Sequence, residues 1–467
     1  MRIKNLLYFR ILVSLSFLIL AATIVKADKV DDAVLFRLKE RSIPGAAVVV
    51  IKDGKVVKQK GYGLASLEFS APVTPETVFE IGSVSKQMTA AAIMLLVQDG
   101  KIRLDEKISA YLPNTPESWQ NVTVRHLLTH TSGIKSYSSL SGFELSRRIT
   151  IDGFIKQLSP YPLEFTPGEK NIYSNSGYNL LAYIVQTQSG KPFMQFMHER
   201  IFAPLGMTRT TDRDPQNIIP LRATGYELSN ERYVGRDGNL TDLMGAGSIV
   251  APIIDMVKWN AALDGNKLLS DDSKKEMWNR FTFNNGENSI YGLGWRITDV
   301  RGRKLIGHTG QTAGFGAAIF RYVADGVAVI VLTNLGELGM GSLIANDIAK
   351  IFIPALSLKN LKKNSSIEKN ISDELLVTLR DVVANKVDKE NFTAEIVQTF
   401  TTARSQRAMK RAASHGNIKD AYVVEEQSID NKRVYKLVAK AEKRLMLWKI
   451  IVEADGKISD IMLEEDE

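Results

Sequence analysis

Thr77-Val78-Phe79-Glu80-Ile81-Gly82-Ser83-Val84-Ser85-Lys86-Gln87-Met88 is the stretch on which the reading of this chain turns. Its first six residues are extended in character. From Gln87 to Val97 the chain is rich in Ala, Met, Ile and Leu and stops at Asp99-Gly100, which predicts a buried helix. Ser83 and Lys86, three apart where that helix begins, share one face, so an amine can lie beside a hydroxyl. A helix N-terminus also offers unpaired N–H groups and a positive dipole end to a developing oxyanion. A serine alcohol is a poor nucleophile until a neighbouring base takes its proton, and a desolvated lysine with a lowered pKa can serve.

Taken alone, S-x-x-K is a weak string, and it occurs three times, at Ser83/Lys86, Ser132/Lys135 and Ser366/Lys369. Context separates them. Ser132 precedes a Gly-Ile turn, Ser366 lies in a Lys/Asn/Ser-rich segment, and only Ser83 opens a buried helix. The competing readings are an ordinary capping serine at position 83 and Ser85 as nucleophile. Ser85, adjacent to Lys86, faces elsewhere on the helix.

At 467 residues the chain is long enough for two or three domains with sizeable cores. Arg2, Lys4 and Arg10, then the apolar run Ile11 to Val25 and Val25-Lys26-Ala27 before Asp28, read as a secretory signal over residues 1–27. Its apolar core falls short of the roughly 20 residues that a membrane-spanning helix needs, so an uncleaved anchor is the lesser reading. The expected location is periplasmic or secreted. The absence of cysteine rules out a disulfide framework and a lipid-modified N-terminal Cys. The signal stretch holds four basic and no acidic residues, so the rest of the chain carries only +4 of the net +8. That is too little to argue for nucleic acid as a partner. No later apolar run predicts a membrane span.

The pattern along the chain predicts an α+β architecture. Ala46 to Lys52 and Lys55 to Lys58 flank Asp53-Gly54, a strong two-residue hairpin signal. The chain then reads as mostly helical to about residue 265. Strand character returns near Tyr291 to Ile297, Lys304 to Ile306, Gly316 to Val323 and Val327 to Leu332. Strands at both ends with helices between predict one antiparallel sheet built from N- and C-terminal parts, flanked by helices, with an all-helical insert. The expected division is a hydrolase-sized domain over 28–357, a linker over 358–370 and a small α+β domain over 371–467. That last part reads as three helices followed by four antiparallel strands, with no evident catalytic set.

Two further motifs complete the pattern. Tyr173-Ser174-Asn175 is the sole Y-x-N, and His308-Thr309-Gly310 the sole His/Lys-Thr-Gly triplet. With Ser83-Val84-Ser85-Lys86 ahead of them, and with Leu127 to Gly133, Pro204 to Met207 and Gly314-Phe315 as flanks, the chain resembles the serine beta-lactamase and penicillin-binding-protein superfamily, in particular its class C and esterase-like branch. The resemblance covers about residues 30 to 355. It implies a beta-lactamase-like fold and an acyl-enzyme mechanism without cofactor or metal. Ser83 would attack a carbonyl, and Lys86 and Tyr173 would share the handling of its proton. Asn175 would orient Lys86 and bond the substrate. The backbone N–H groups of Ser83 and Gln311 would form the oxyanion hole beside His308, Thr309 and Gly310. Which residue acts as base in acylation stays open. A phenol with an ordinary pKa near 10 becomes a usable base only if a neighbouring ammonium lowers that value, and Lys86 is placed to do so.

The third motif departs from the beta-lactamase pattern, because His308 replaces a lysine that would give a fixed cation for a carboxylate. A histidine is mostly neutral near pH 7, which favours esters, amides or D-amino-acid peptides over antibiotics. A class C-like beta-lactamase, a D,D-carboxypeptidase acting on cell-wall peptide, and a penicillin-binding sensor without turnover remain the alternatives. His126 and His130 are four apart on an expected helix, but Leu127 stands where a zinc protease would carry Glu, so packing and helix capping are the expected roles.

Overall fold

A computed structural model describes residues 28–141, 149–236, 238, 240, 243–387 and 390–467. The expected signal at 1–27 lies outside the described residues. Contacts divide the chain into two compact units, Met1–Phe352 and Ile353–Glu467. No helix among the described residues is long and apolar enough to cross a membrane.

The first unit is built on a seven-stranded antiparallel sheet with strands β1 (Gly45–Lys52), β2 (Lys55–Ser66), β3 (Ala71–Pro72), β4 (Arg296–Val300), β5 (Arg303–Gln311), β6 (Gly316–Tyr322) and β7 (Val327–Thr333). Their order across the sheet is β3-β2-β1-β7-β6-β5-β4, so the N-terminal hairpin joins the C-terminal meander where β1 pairs with β7. The β1–β2 turn has Asp53 at φ 50° and Gly54 at φ 75°, the left-handed pair that a two-residue hairpin requires. The register sets Val48 opposite Val331 and Val49 opposite Ile330, and every residue from Ala46 to Val50 is fully buried. Continuous apolar burial of this kind means that both sheet faces are covered.

After the N-terminal helix α1 over 28–40, helix α2 (Ser85–Gln98) adds Met88, Ile93 and Leu96 to the core on one face, shared with Ala47, Val49, Ile319 and Ile330, and helix Ile253–Asp264 packs on β1 and β7. The opposite face carries helix α4 (Met340–Phe352), packed on β6 and β7. Beneath α2 lies helix α3 (Asn175–Ser189), which adds Leu180, Leu181 and Ile184 to the same core. The segment between the two halves of the sheet is not wholly helical, in contrast to expectation. A three-stranded sheet of Val78–Glu80, Ile249–Pro252 and Thr211–Asp212 and a hairpin of Gly225–Ser229 with Arg232–Arg236 interrupt it. The hairpin turns at Asn230-Glu231, both at positive φ, a pair without the glycine that marks such turns in sequence. The other three strands are too short to alternate visibly, and they pair with partners distant in sequence, Val78 with Pro252 and Thr211 with Val250.

In the second unit, helices Lys369–Val383, Ala394–Phe400 and Ala403–Ser414 precede four antiparallel strands, Ile418–Ile429, Lys432–Ala441, Leu445–Val452 and Ile458–Asp466. Leu375, Leu379 and Val382 of the first helix meet Leu437, Trp448 and Ile450 of the sheet in a separate core. Leu358, at the start of the segment expected to link the domains, is fully buried against Val438 and Leu447.

Candidate active site

Ser83 stands on a single 3-10 turn, Gly82–Val84, and α2 starts two residues later. The turn is wedged against the end of β5. A Cβ on Gly310 would lie 1.9 Å from Ile81 O and 3.2 Å from Ser83 N, and one on Gly82 would lie 2.8 Å from Gln311 N. Gly82 also sits at φ 50°. Two backbones therefore approach as closely as only glycines allow, which brings the N–H groups of Ser83 and Gln311 to the same edge.

Lys86 is fully buried, whereas Ser83 keeps some exposure. The Lys86 amine has three polar neighbours: Asn175 Oδ1 at 2.9 Å, the Ala246 carbonyl at 2.7 Å and Ser83 Oγ at 3.0 Å. No carboxylate is among them. Burial without a counter-charge holds the Lys86 amine well below the ordinary lysine range. A neutral amine has two N–H groups and one lone pair. Asn175 Oδ1 and Ala246 O can only accept, so they take both N–H groups and the lone pair is left facing the Ser83 hydroxyl. The four-carbon stem is buried as well and contributes about 0.8 kcal/mol per buried methylene, while the head group meets the rings of Tyr173 and Tyr178 at 4.8 and 5.4 Å.

Tyr173 immediately precedes the two residues that open α3, and its phenol bonds Ser83. The residue as a whole is 41% exposed. Its oxygen lies in desolvated surroundings all the same, and that burial raises the phenol above the ordinary tyrosine range against the weaker pull of Ser83 and Arg296. The expectation that Lys86 lowers the phenol is therefore corrected. A buried amine without a counter-ion does not supply the ammonium on which that expectation rested. Tyr173 keeps its proton and donates toward Ser83 Oγ, while Ser83 donates toward Lys86.

His308 lies on β5, 3% exposed. Its Nδ1 is 2.6 Å from Thr309 O, which only accepts, so Nδ1 carries the proton and Nε2 accepts from the Tyr291 hydroxyl at 2.6 Å. Burial, with a smaller contribution from Lys86, pushes His308 down to about 3. The ring is neutral at any physiological pH. Thr309 is partly exposed, and Gln311 is exposed with its side-chain amide donating to Gly336 O at 2.8 Å. Ser85 is fully buried, and its hydroxyl accepts from Ile249 N–H at 3.3 Å. Ser132 points inward and accepts from Ile134 N–H, and Ser366 bonds only its neighbour Asn364. His126 closes a capping box with Thr123, each side chain accepting from the other's N–H.

Sequence reasoning missed three participants. Ala246 contributes only a carbonyl, though the run Gly245-Ala246-Gly247 is a signal that backbone passes close by. Tyr291 donates to His308 Nε2. Arg296 is exposed, makes no ion pair with a described residue, and its charge acts on Tyr173, Tyr291 and His308.

With this geometry in view, comparison with known proteins is decisive at the family level. The Beta-lactamase family profile matches residues 27–349. The chain belongs to the Beta-lactamase family. Its relatives in that family include PbpX of Bacillus subtilis (strain 168), provisionally named as a penicillin-binding protein, which is 35% identical over 261 residues. That match covers 56% of this chain and 63% of PbpX. A D-aminopeptidase of Brucella anthropi is 30% identical over 303 residues, covering 62% of this chain and 56% of that enzyme. The chain thus spans less than two thirds of the length of either relative. Among solved structures, the octameric penicillin-binding protein homologue from Pyrococcus abyssi superposes with a TM-score of 0.61 at 24% identity, covering 94% of this chain and 98% of that one. That likeness bears on the fold alone. Family membership and fold agree with the resemblance read from the three motifs.

The neutral His308 has a consequence for stability. An unfolded chain takes up a proton at this histidine near pH 6.5, whereas the folded protein does so near pH 3. Between those values the unfolded state binds more protons, so this contribution to stability is intact above about pH 6.5 and is lost as pH falls toward 3. In denaturant titrations His308→Gln, which cannot take up that proton, is expected to lose less stability than the wild type between pH 7 and pH 4. Parallel losses in the two proteins would contradict a neutral buried His308.

Proposed function

We propose that the protein is an exported serine hydrolase that acts through an acyl-enzyme on small esters, amides or D-amino-acid peptides. The carrying observation is the set of three neighbours around the Lys86 amine, two obligate acceptors and the Ser83 hydroxyl. Ser83 Oγ attacks the substrate carbonyl while its proton passes to the Lys86 lone pair. The N–H groups of Ser83 and Gln311 bind the resulting oxyanion. As the tetrahedral intermediate collapses, Tyr173 gives its proton to the departing oxygen or nitrogen and regains one from the Lys86 ammonium. Water then attacks the acyl carbonyl, its proton returns by the same groups, and Ser83 leaves with its hydroxyl restored. The D-aminopeptidase relative supports an amide-cleaving member of this set, and the basic-then-apolar N-terminal stretch supports export.

Replacement of Ser83 by Ala is expected to abolish turnover of a nitrophenyl ester and labelling by a fluorophosphonate or fluorescent penicillin. Ser85→Ala, which removes a buried hydrogen bond of about 1 kcal/mol, is expected to retain much of both. Labelling of the Ser83→Ala protein at the wild-type level would reject the assignment.

A second reading, D,D-carboxypeptidase action, is favoured by one observation. No acidic side chain is among the charges acting on Tyr173, His130 or His308, and Arg296 is the exposed cation whose field reaches Tyr173 and His308. A free substrate carboxylate would find its counter-charge there, whereas a free substrate amine would find none. Arg296→Gln is expected to raise KM for a D-Ala-D-Ala peptide about tenfold or more, the worth of one charge-assisted contact of roughly 1.5–3 kcal/mol. Hydrolysis of an uncharged nitrophenyl ester should change little. Equal losses on both substrates would count against carboxylate recognition by Arg296.

A further inference from the structure

His130 stands outside the serine, lysine and tyrosine set, yet it holds Tyr173 from three sides. Its carbonyl accepts from Ile172 N–H at 3.1 Å, and its Nδ1 accepts from Ser174 N–H at 3.1 Å. One residue thus secures the backbone immediately before and immediately after Tyr173. Its ring also lies against the Tyr173 ring, with centroids 4.2 Å apart and planes at 36°. Tyr291 and Tyr178 enclose the imidazole further, at 4.6 and 5.1 Å.

Several features are hard to reconcile with simple core filling. His130 is 1% exposed and sits at φ 58°, a region that side chains other than glycine seldom adopt. Because Nδ1 accepts, the proton is on Nε2, and that atom is buried with no hydrogen-bond partner among the described residues. A strained backbone and an unpaired polar atom persist where the surroundings hold them in place, and such positions cluster at functional sites. The groups facing the ring are Lys86 from α2, His308 from β5 and the three tyrosines. None is a carboxylate, so the cationic form of the ring has nothing to stabilise it.

We propose that His130 is the positioning residue that fixes the Tyr173 phenol against Ser83. The inference rests on the role given to Tyr173 above. A displacement of about 1 Å in a reacting group can cost on the order of a hundredfold in rate, so removing any one of the three restraints should act on kcat rather than on KM.

Two variants divide the restraints. His130→Asn keeps an acceptor close to the position of Nδ1 and a side chain tolerant of positive φ, but removes the ring stack. His130→Phe keeps a ring but leaves Ser174 N–H without its acceptor. Each would be made in the wild type and in Tyr173→Phe, and kcat and KM for a nitrophenyl ester measured beside thermal midpoints. In the wild-type background the expected fall in kcat is about ten- to a hundredfold with KM little changed. In the Tyr173→Phe background no further fall is expected. Equal falls in both backgrounds, or none in the wild type, would overturn the proposal while leaving the role of Tyr173 standing. An unimpaired Tyr173→Phe enzyme would overturn both. If a His130 variant does not fold, nitrogen-15 spectra of the wild-type imidazole decide: an Nε2–H tautomer unchanged from pH 5 to 9 is expected, and an imidazolium in that range would overturn the proposal.

Discussion

The site depends on a lysine amine placed where water and counter-ions cannot reach it. Desolvating an ammonium costs several kcal/mol even after relaxation, and Lys86 has only an amide oxygen, a peptide oxygen and a hydroxyl for company. The cheapest response is loss of the proton. That choice orders everything around it: the lone pair must face Ser83, Ser83 must donate, and Tyr173 must remain a phenol. A cation-binding carboxylate in the same cavity would stabilise the ammonium and reverse the sequence of donors.

Keeping the amine dry requires the whole first unit. The two ends of its chain meet in the β1–β7 pair, and α2 packs on α3 within the core that this sheet shares. The close contact of Gly82 with Gln311 and of Gly310 with Ile81 ties the serine turn to the last strand before the cleft. Sheet assembly and site assembly are thereby a single event. Tyr173 comes from a third direction, at the start of α3, and is held there by the loop that carries His130.

Much of this was legible in the sequence, for reasons that also explain what was not. The Asp53-Gly54 turn, the apolar runs of β1 and β7 and the buried face of α2 carry local patterns that permit one reading. The three motifs name Ser83, Lys86, Tyr173, Asn175 and His308 because the chemistry needs those side chains, and the fold does bring them together. Backbone participants leave no such trace: the Ala246 carbonyl could have been any residue's, and the short strands at 78–80, 211–212 and 249–252 owe their form to partners far along the chain. The direction of the Tyr173 shift does not follow from residue type, which suggests a charge on Lys86, because burial decides it. Sequence spacing predicts only packing for His130; its hold on both neighbours of Tyr173 appears only in three dimensions.

The most direct measurement of the central idea is the protonation state of one nitrogen. In protein labelled with nitrogen-15 at the lysine Nζ, the Lys86 resonance should show a neutral amine at pH 7 in the uncomplexed enzyme, apart from the ammonium signals of the exposed lysines. A Lys86 signal that stays in the ammonium range until pH exceeds about 10, the ordinary lysine value, would contradict the account.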